Sequence, residues 1–167
     1  MKRQKFIGSI CPILLASMMA SPILVSCSKE EEPIVLLSEE EEAYLNIIAS
    51  LNEDGYLTEG KKLHIHLNHQ RYKNLDQNDS FVNDMDNGLL LLRKTENTLL
   101  AFDNCCPHLG SRNQWTFSNN KFRCNNHGNI FGTSEGFTSY CSSNSRSGNL
   151  RQFPITVFKD LATVNFS

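Results

Sequence analysis

The chain has 167 residues, 40% hydrophobic and 20% charged, with six cysteines, one tryptophan and a formal net charge of −2. That length suits one domain with short appendages and leaves no room for a cofactor-binding fold beside a separate catalytic domain. A mean hydropathy of −0.36 excludes a multi-span membrane protein, and the small net charge argues against nucleic acid as a partner, which calls for a strong basic excess.

Met1-Lys2-Arg3-Gln4-Lys5 is a short basic start, and the apolar run from Ile7 to Val25, broken by Pro12 and Pro22, ends in Leu24-Val25-Ser26-Cys27. A basic n-region, an apolar h-region and small residues before a cut site predict a secretory signal peptide over residues 1–26. Its last four residues resemble a lipobox, the recognition sequence of bacterial lipoprotein signal peptidase. That resemblance implies cleavage before Cys27 and a diacylglyceryl thioether on its sulfur, so the membrane is a partner through this lipid anchor. The alternative is an uncleaved span. The run has the roughly 20 residues required, but its prolines weaken that reading. Ser28-Lys29-Glu30-Glu31-Glu32 follows as a solvated tether. Some Gram-negative bacteria use such an acidic stretch to send lipoproteins to the cell surface, and a plain spacer is the alternative. Without residues 1–26 the chain holds 13 basic and 18 acidic residues, a net of −5. The expected location is membrane-anchored, facing the periplasm or the cell surface, with the outer membrane favoured. That compartment is oxidising, so a cysteine there is lipidated, metal-bound, disulfide-paired or reactive.

Residues 27–62 read as the acidic tether and one amphipathic helix. Ser38-Glu39-Glu40-Glu41 forms a capping box, Tyr44, Leu45, Ile47, Ile48 and Leu51 recur at helical spacing, and Gly55 closes a helix predicted near 39–53. Beyond it the texture turns to short strands. Leu63, Ile65 and Leu67 alternate with His64 and His66, as on a strand with an exposed polar face, and Leu89–Arg93 and Leu99–Phe102 are apolar runs bounded by turn residues. Phe153–Phe158 and Leu161–Phe166 flank Lys159-Asp160 as a hairpin. Residues 133–149 read as one long loop, and Trp115 as core. The fold class expected is mostly β with one N-terminal helix.

Two boxes carry the chemistry: Cys106-Pro107-His108-Leu109-Gly110 and Cys124-Asn125-Asn126-His127-Gly128, with fifteen residues (109 to 123) between His108 and Cys124. Each supplies a thiolate and an imidazole from a turn. Lys121-Phe122-Arg123 reads as the strand entering the second box. Four such ligands also suit a tetrahedral zinc ion, although zinc fingers usually pair Cys with Cys and His with His in separate arms. His64, His66 and His69 are weighed as a second metal site, with a polar strand face the plainer explanation.

Cys-x-His followed by Cys-x-x-His, each with a trailing Gly, resembles the Rieske [2Fe-2S] family over residues 63–167. The resemblance implies a Rieske-like antiparallel β-sheet sandwich with a small cluster-binding subdomain, and one [2Fe-2S] cluster per chain. It implies that Cys106 and Cys124 bind one iron and that His108 and His127 bind the other, near the surface. Gly110 and Gly128 would let the loops turn tightly around the cluster.

Three departures matter. High-potential members carry an extra Cys in each box that pair as a disulfide; Ser111 and Asn126 stand there instead. The same members place Ser and Tyr hydroxyls against cluster sulfurs where this chain has Asn129 and Phe131. Fewer hydrogen bonds to sulfur predict a potential in the lower half of the Rieske span of about −150 to +300 mV. The Gly-Pro covering loop is not recognisable between Gly136 and Leu150. Cys105 and Cys141 are left over, and a Cys105–Cys141 disulfide would pin the long loop beside the first box; free thiols are the alternative.

Charge divides unevenly, with 7 basic and 16 acidic residues over 27–104 and 6 basic and 2 acidic over 105–167. The basic cluster half suits an acidic redox partner. The function expected is one-electron transfer between a redox donor and an acceptor protein, by an exported, lipid-anchored carrier that is not an enzyme on its own. A ferredoxin-like component serving a separate oxygenase or reductase is the first alternative, and a metal-stapled binding lipoprotein the second.

Overall fold

A computed structural model describes residues 37–166; the signal peptide expected over 1–26, Cys27 and the tether expected at 28–32 lie outside them. Helix α1 covers Glu39–Ser50. Ser38 Oγ accepts from the Glu41 amide at 3.2 Å, the N-cap half of the predicted capping box, while the Glu41 carboxylate accepts from Lys159 Nζ at 2.9 Å. Glu39–Glu42 place four negative charges on the positive end of the helix dipole. The helix ends short of residue 53. Leu51 is extended, and Asn52 Oδ1 accepts the amides of Asp54 and Tyr56 at 3.1 and 3.0 Å, so a side-chain turn replaces the last helical turn.

Thirteen strands follow among the described residues: β1 (Tyr56–Glu59), β2 (Lys62–His66), β3 (Ser80–Asp84), β4 (Leu89–Thr95), β5 (Thr98–Asp103), β6 (Trp115–Ser118), β7 (Lys121–Cys124), β8 (Asn129–Gly132), β9 (Thr138–Ser139), β10 (Asn149–Leu150), β11 (Gln152–Phe153), β12 (Ile155–Phe158) and β13 (Leu161–Asn165). A 3-10 helix, Gln70–Asp76, links β2 to β3. They form three sheets, ordered β1-β2-β13-β12, β11-β5-β4-β3 and β6-β7-β8-β10-β9. Because β1 pairs with β2 from Tyr56↔Ile65 to Glu59↔Lys62, the β domain begins before residue 63. All pairings are antiparallel except those of β10, which runs parallel to β8 and β9 and organises part of the expected long loop.

Strand β4 explains the layering. Its four leucines are all fully buried, with Leu89 and Leu91 packing among Leu63, Ile65, Ala162 and Val164 of the first sheet. Leu90 and Leu92 face the other way, into Phe102, Trp115, Phe122 and Phe131. A strand covered on both faces needs a continuous apolar run rather than alternation. The second core is aromatic: Phe122 meets Phe81, Phe102 and Trp115 edge-on at 5.4, 5.8 and 6.1 Å. The mostly β architecture with one N-terminal helix expected from the sequence is what the described residues adopt.

The exposed polar face expected on β2 is corrected at His64, which is buried, while His66 stays partly exposed. Tyr44 and Ile47 of α1 line a cleft with His64 and Thr163, and His64 is buried with Nδ1 3.0 Å from Thr163 Oγ1. His66 bonds Asp160 at 3.0 Å, and His69 caps the 3-10 helix by accepting the Arg71 amide. The three rings serve three separate partners, and among the described residues no group of three His, Cys, Asp or Glu side chains converges on a single metal position.

Candidate metal centre

The first box leaves β5 through a dense polar support. Asp103 Oδ1 accepts the Cys105 amide at 2.8 Å. Asn104 is fully buried; its amide donates to Gly88 O at 3.0 Å, and its carbonyl accepts Trp115 Nε1 at 2.8 Å. Its side chain donates to Asn83 Oδ1 at 3.1 Å and accepts from Arg112, while Asn83 donates to Arg112 O at 2.7 Å. The loop closes on itself through Cys106 N to Ser111 O and Gly110 N to Cys106 O, both 2.8 Å. The second box is the turn of the β7–β8 hairpin, closed by Gly128 N to Cys124 O at 2.9 Å.

Both trailing glycines have positive φ, +75° at Gly110 and +73° at Gly128. A Cβ on Gly110 would meet Ser142 Oγ at 2.5 Å, so backbone sign and space both require glycine there.

These supports bring the four box side chains together in two pairs. Cys106 and Cys124 are buried free cysteines and lie close enough for Cys124 to influence the Cys106 thiol. Burial pushes the Cys106 thiol up, the backbone amides of His108 and Leu109 pull it down, and the neighbouring Cys124 adds to the rise. His108 Nδ1 and His127 Nδ1 face each other at 3.3 Å with rings nearly perpendicular at 88°. His108 is buried and His127 exposed. Burial, with His127 and Arg146 nearby, lowers the His108 pKa below its ordinary value.

Sulfur with sulfur and imidazole with imidazole is a donor set for two metal ions held side by side. A structural zinc ion takes four donors around one point, whereas these donors lie as two like pairs. Two thiolates on one iron and two imidazoles on its neighbour is the ligation of a mixed Cys/His binuclear iron–sulfur centre.

That class is the one to which the chain belongs. The model of the Rieske [2Fe-2S] domain family matches residues 65–154, more than half of the chain, and places it in that family. Comparison with curated proteins and with solved structures gives no match. The domain binds a [2Fe-2S] cluster and carries out one-electron transfer. The buried thiol pair and the facing Nδ1 atoms are donors of the right kind and number for that group.

The departures from the high-potential pattern have structural counterparts. Asn126 Nδ2 donates to Ser111 Oγ at 2.7 Å, so a hydrogen bond joins the two boxes where those members have a disulfide. Cys105 and Cys141 are disulfide-bonded, with Cα atoms 5.2 Å apart across 36 residues. Beside this link, Ser142 N reaches Cys106 O and Ser143 Oγ reaches Pro107 O, each at 3.4 Å. Residues 141–143 thus lie along the first box without any proline. Phe131 is fully buried in the aromatic core. Sequence reasoning missed the supporting roles of Asn83, Asn104 and Arg112. The position of Asn104 directly before Cys105 was the available signal, since a buried polar side chain is tolerated only where hydrogen bonds hold it.

Proposed function

We propose that Cys106 and Cys124 hold one iron of the cluster and His108 and His127 the other, in an exported chain anchored through a lipid on Cys27. In this reading the protein passes single electrons between redox proteins outside the cytoplasm. The observation that carries the ligand assignment is the segregation of donors, two buried free thiols on one side and two Nδ1 atoms at 3.3 Å on the other. When bound, the cluster supplies a reversible one-electron couple. The chain's part is to hold both sulfurs in place as ligands, and the His108 and Leu109 amides offset part of the burial that pushes the Cys106 thiol up. Burial of the thiols keeps water from that side, while exposed His127 offers an edge to a partner.

Arg146 lies near His108, and Arg123 sits against the Gly128 turn, so cations border the histidine edge. With 6 basic and 2 acidic residues over 105–167, this half suits an acidic partner. The basic start, the apolar run and Leu24-Val25-Ser26-Cys27 support export and lipidation, and Glu30-Glu31-Glu32 supports display at the outer membrane.

Two experiments test this reading. Anaerobically purified C106S and H127A are expected to lose the two-iron chromophore that the wild type shows; retention of a normal cluster by either would reject the assignment. A C27S chain is expected to leave the membrane fraction, and unchanged membrane retention would reject the anchor.

A further inference from the structure

We propose that the side-chain amide of Asn129 donates a hydrogen bond to the sulfur at Cys124 in the cluster-loaded protein and thereby raises its reduction potential. The inference rests on the ligand assignment above, and the observation that prompts it is an orphan. Asn129 Nδ2 is buried with no hydrogen-bond partner among the described residues. The only other such atom among them, His64 Nε2, has Glu59 Oε2 at 3.4 Å, whereas no contact is found for the Asn129 amide. Leaving a buried amide donor unpaired is destabilising, so the position asks what the donor is for.

Strand register supplies the acceptor. In the β7–β8 pair Cys124 lies directly opposite Asn129, and Phe122 opposite Phe131. Directly opposed residues put their side chains on one face, with Cβ atoms about 4.5–5.5 Å apart. That face is the buried one, because Phe122, Cys124 and Phe131 are all fully enclosed while Ile130, between Asn129 and Phe131, is exposed. The Asn129 amide therefore shares an enclosed surface with the Cys124 sulfur.

A neutral thiol is a weak acceptor. A thiolate accepts a charge-assisted bond of roughly twice the ordinary strength. The donor is thus matched to Cys124 as an ionised ligand rather than as a thiol. An added electron increases the negative charge on the cluster sulfurs, so an N–H pointed at one of them favours the reduced state. Of the two positions where high-potential members place hydroxyls against cluster sulfurs, this chain keeps a donor at one through Asn129 and has Phe131 at the other.

The test is an anaerobic, EPR-monitored redox titration of the wild type, N129L, N129A and N129S. Removing the amide in N129L is expected to disfavour reduction about tenfold, a fall of about 59 mV for one electron. N129S, which restores a hydroxyl donor, is expected to lie above N129L. A merely structural role for Asn129 would alter stability without ordering the potentials by donor. Should N129L fail to load, N129A removes the same donor without bulk and is read in the same way. Apolar variants with the wild-type potential and an intact Rieske spectrum would overturn this inference alone. A wild type that loads no two-iron cluster would overturn the ligand assignment and this inference with it.

Discussion

Asp160 shows how much of this domain hangs on single polar side chains. Its carboxylate accepts from Tyr44 OH at 2.7 Å and Asn68 Nδ2 at 2.7 Å and pairs with His66 Nε2 at 3.0 Å, while its carbonyl accepts the Leu67 amide at 2.8 Å. One residue of the β12–β13 turn so ties α1 and the end of β2 to the sheet. Burial alone would raise its pKa, but the bonds from Tyr44 and His66 outweigh burial and hold the carboxyl below its ordinary value. A depressed carboxylate pKa stabilises the fold above the unfolded-state value, and that contribution disappears as pH falls through the folded one. D160N is therefore expected to lose about 1–3 kcal/mol near neutral pH, with the gap to wild type narrowing in acid; urea denaturation at pH 7 and pH 3 checks both. The Asn126–Ser111 bond acts on the same scale. N126A is expected to cost about 0.5–1.5 kcal/mol and to release iron at a lower temperature than wild type, read from loss of visible absorbance on heating.

At the scale of elements, Phe122 is the point where the middle sheet and the cluster-binding sheet lock together, ringed by Phe81, Phe102, Trp115 and Phe117. F122A is expected to cost about 3–5 kcal/mol and to loosen the strand that carries Cys124, with denaturant unfolding as the measure. The Cys105–Cys141 disulfide constrains the loop of residues 133–149. Removing it as C105S/C141S is expected to lower stability by about 2–4 kcal/mol, and a non-reduced digest should yield one linked peptide pair.

The elements legible in the sequence were those whose signal is local. Helix α1 announced itself through Ser38 and the spacing of Tyr44, Ile47 and Ile48, and the β12–β13 hairpin through Lys159-Asp160, where Lys159 takes a positive φ. Strands β9 and β10, two residues each, owe their existence to parallel pairing brought about by the rest of the fold, and no local pattern marks them. The burial of His64 depends on α1 docking over it, which a strand read alone does not reveal. The same division holds at the site. The four box residues form a compact sequence pattern, whereas Asn83, Asn104 and Arg112 meet only because β3, β5 and the first box converge in space.

Across the whole molecule the charge is divided by function. Residues 27–104 carry 16 acidic side chains against 7 basic, and residues 105–167 carry 2 against 6. Exposed charges are screened beyond about 8–10 Å at physiological salt, so this division acts on encounter more than on fold. Electron transfer to an acidic partner is expected to slow as ionic strength rises, and R146E is expected to slow it at low salt, both measured by stopped-flow oxidation of the reduced protein. No described helix is long and apolar enough to cross a membrane.

The central claim is that two sulfurs and two imidazole nitrogens of one small domain grip a pair of irons that cycle by one electron. The most direct measurement is metal content combined with an EPR-monitored redox titration of anaerobically purified protein. The account predicts two irons per chain, a reversible one-electron Rieske signal, and a midpoint in the lower half of the span of about −150 to +300 mV. A single zinc per chain, or a reconstituted protein without iron, would contradict it.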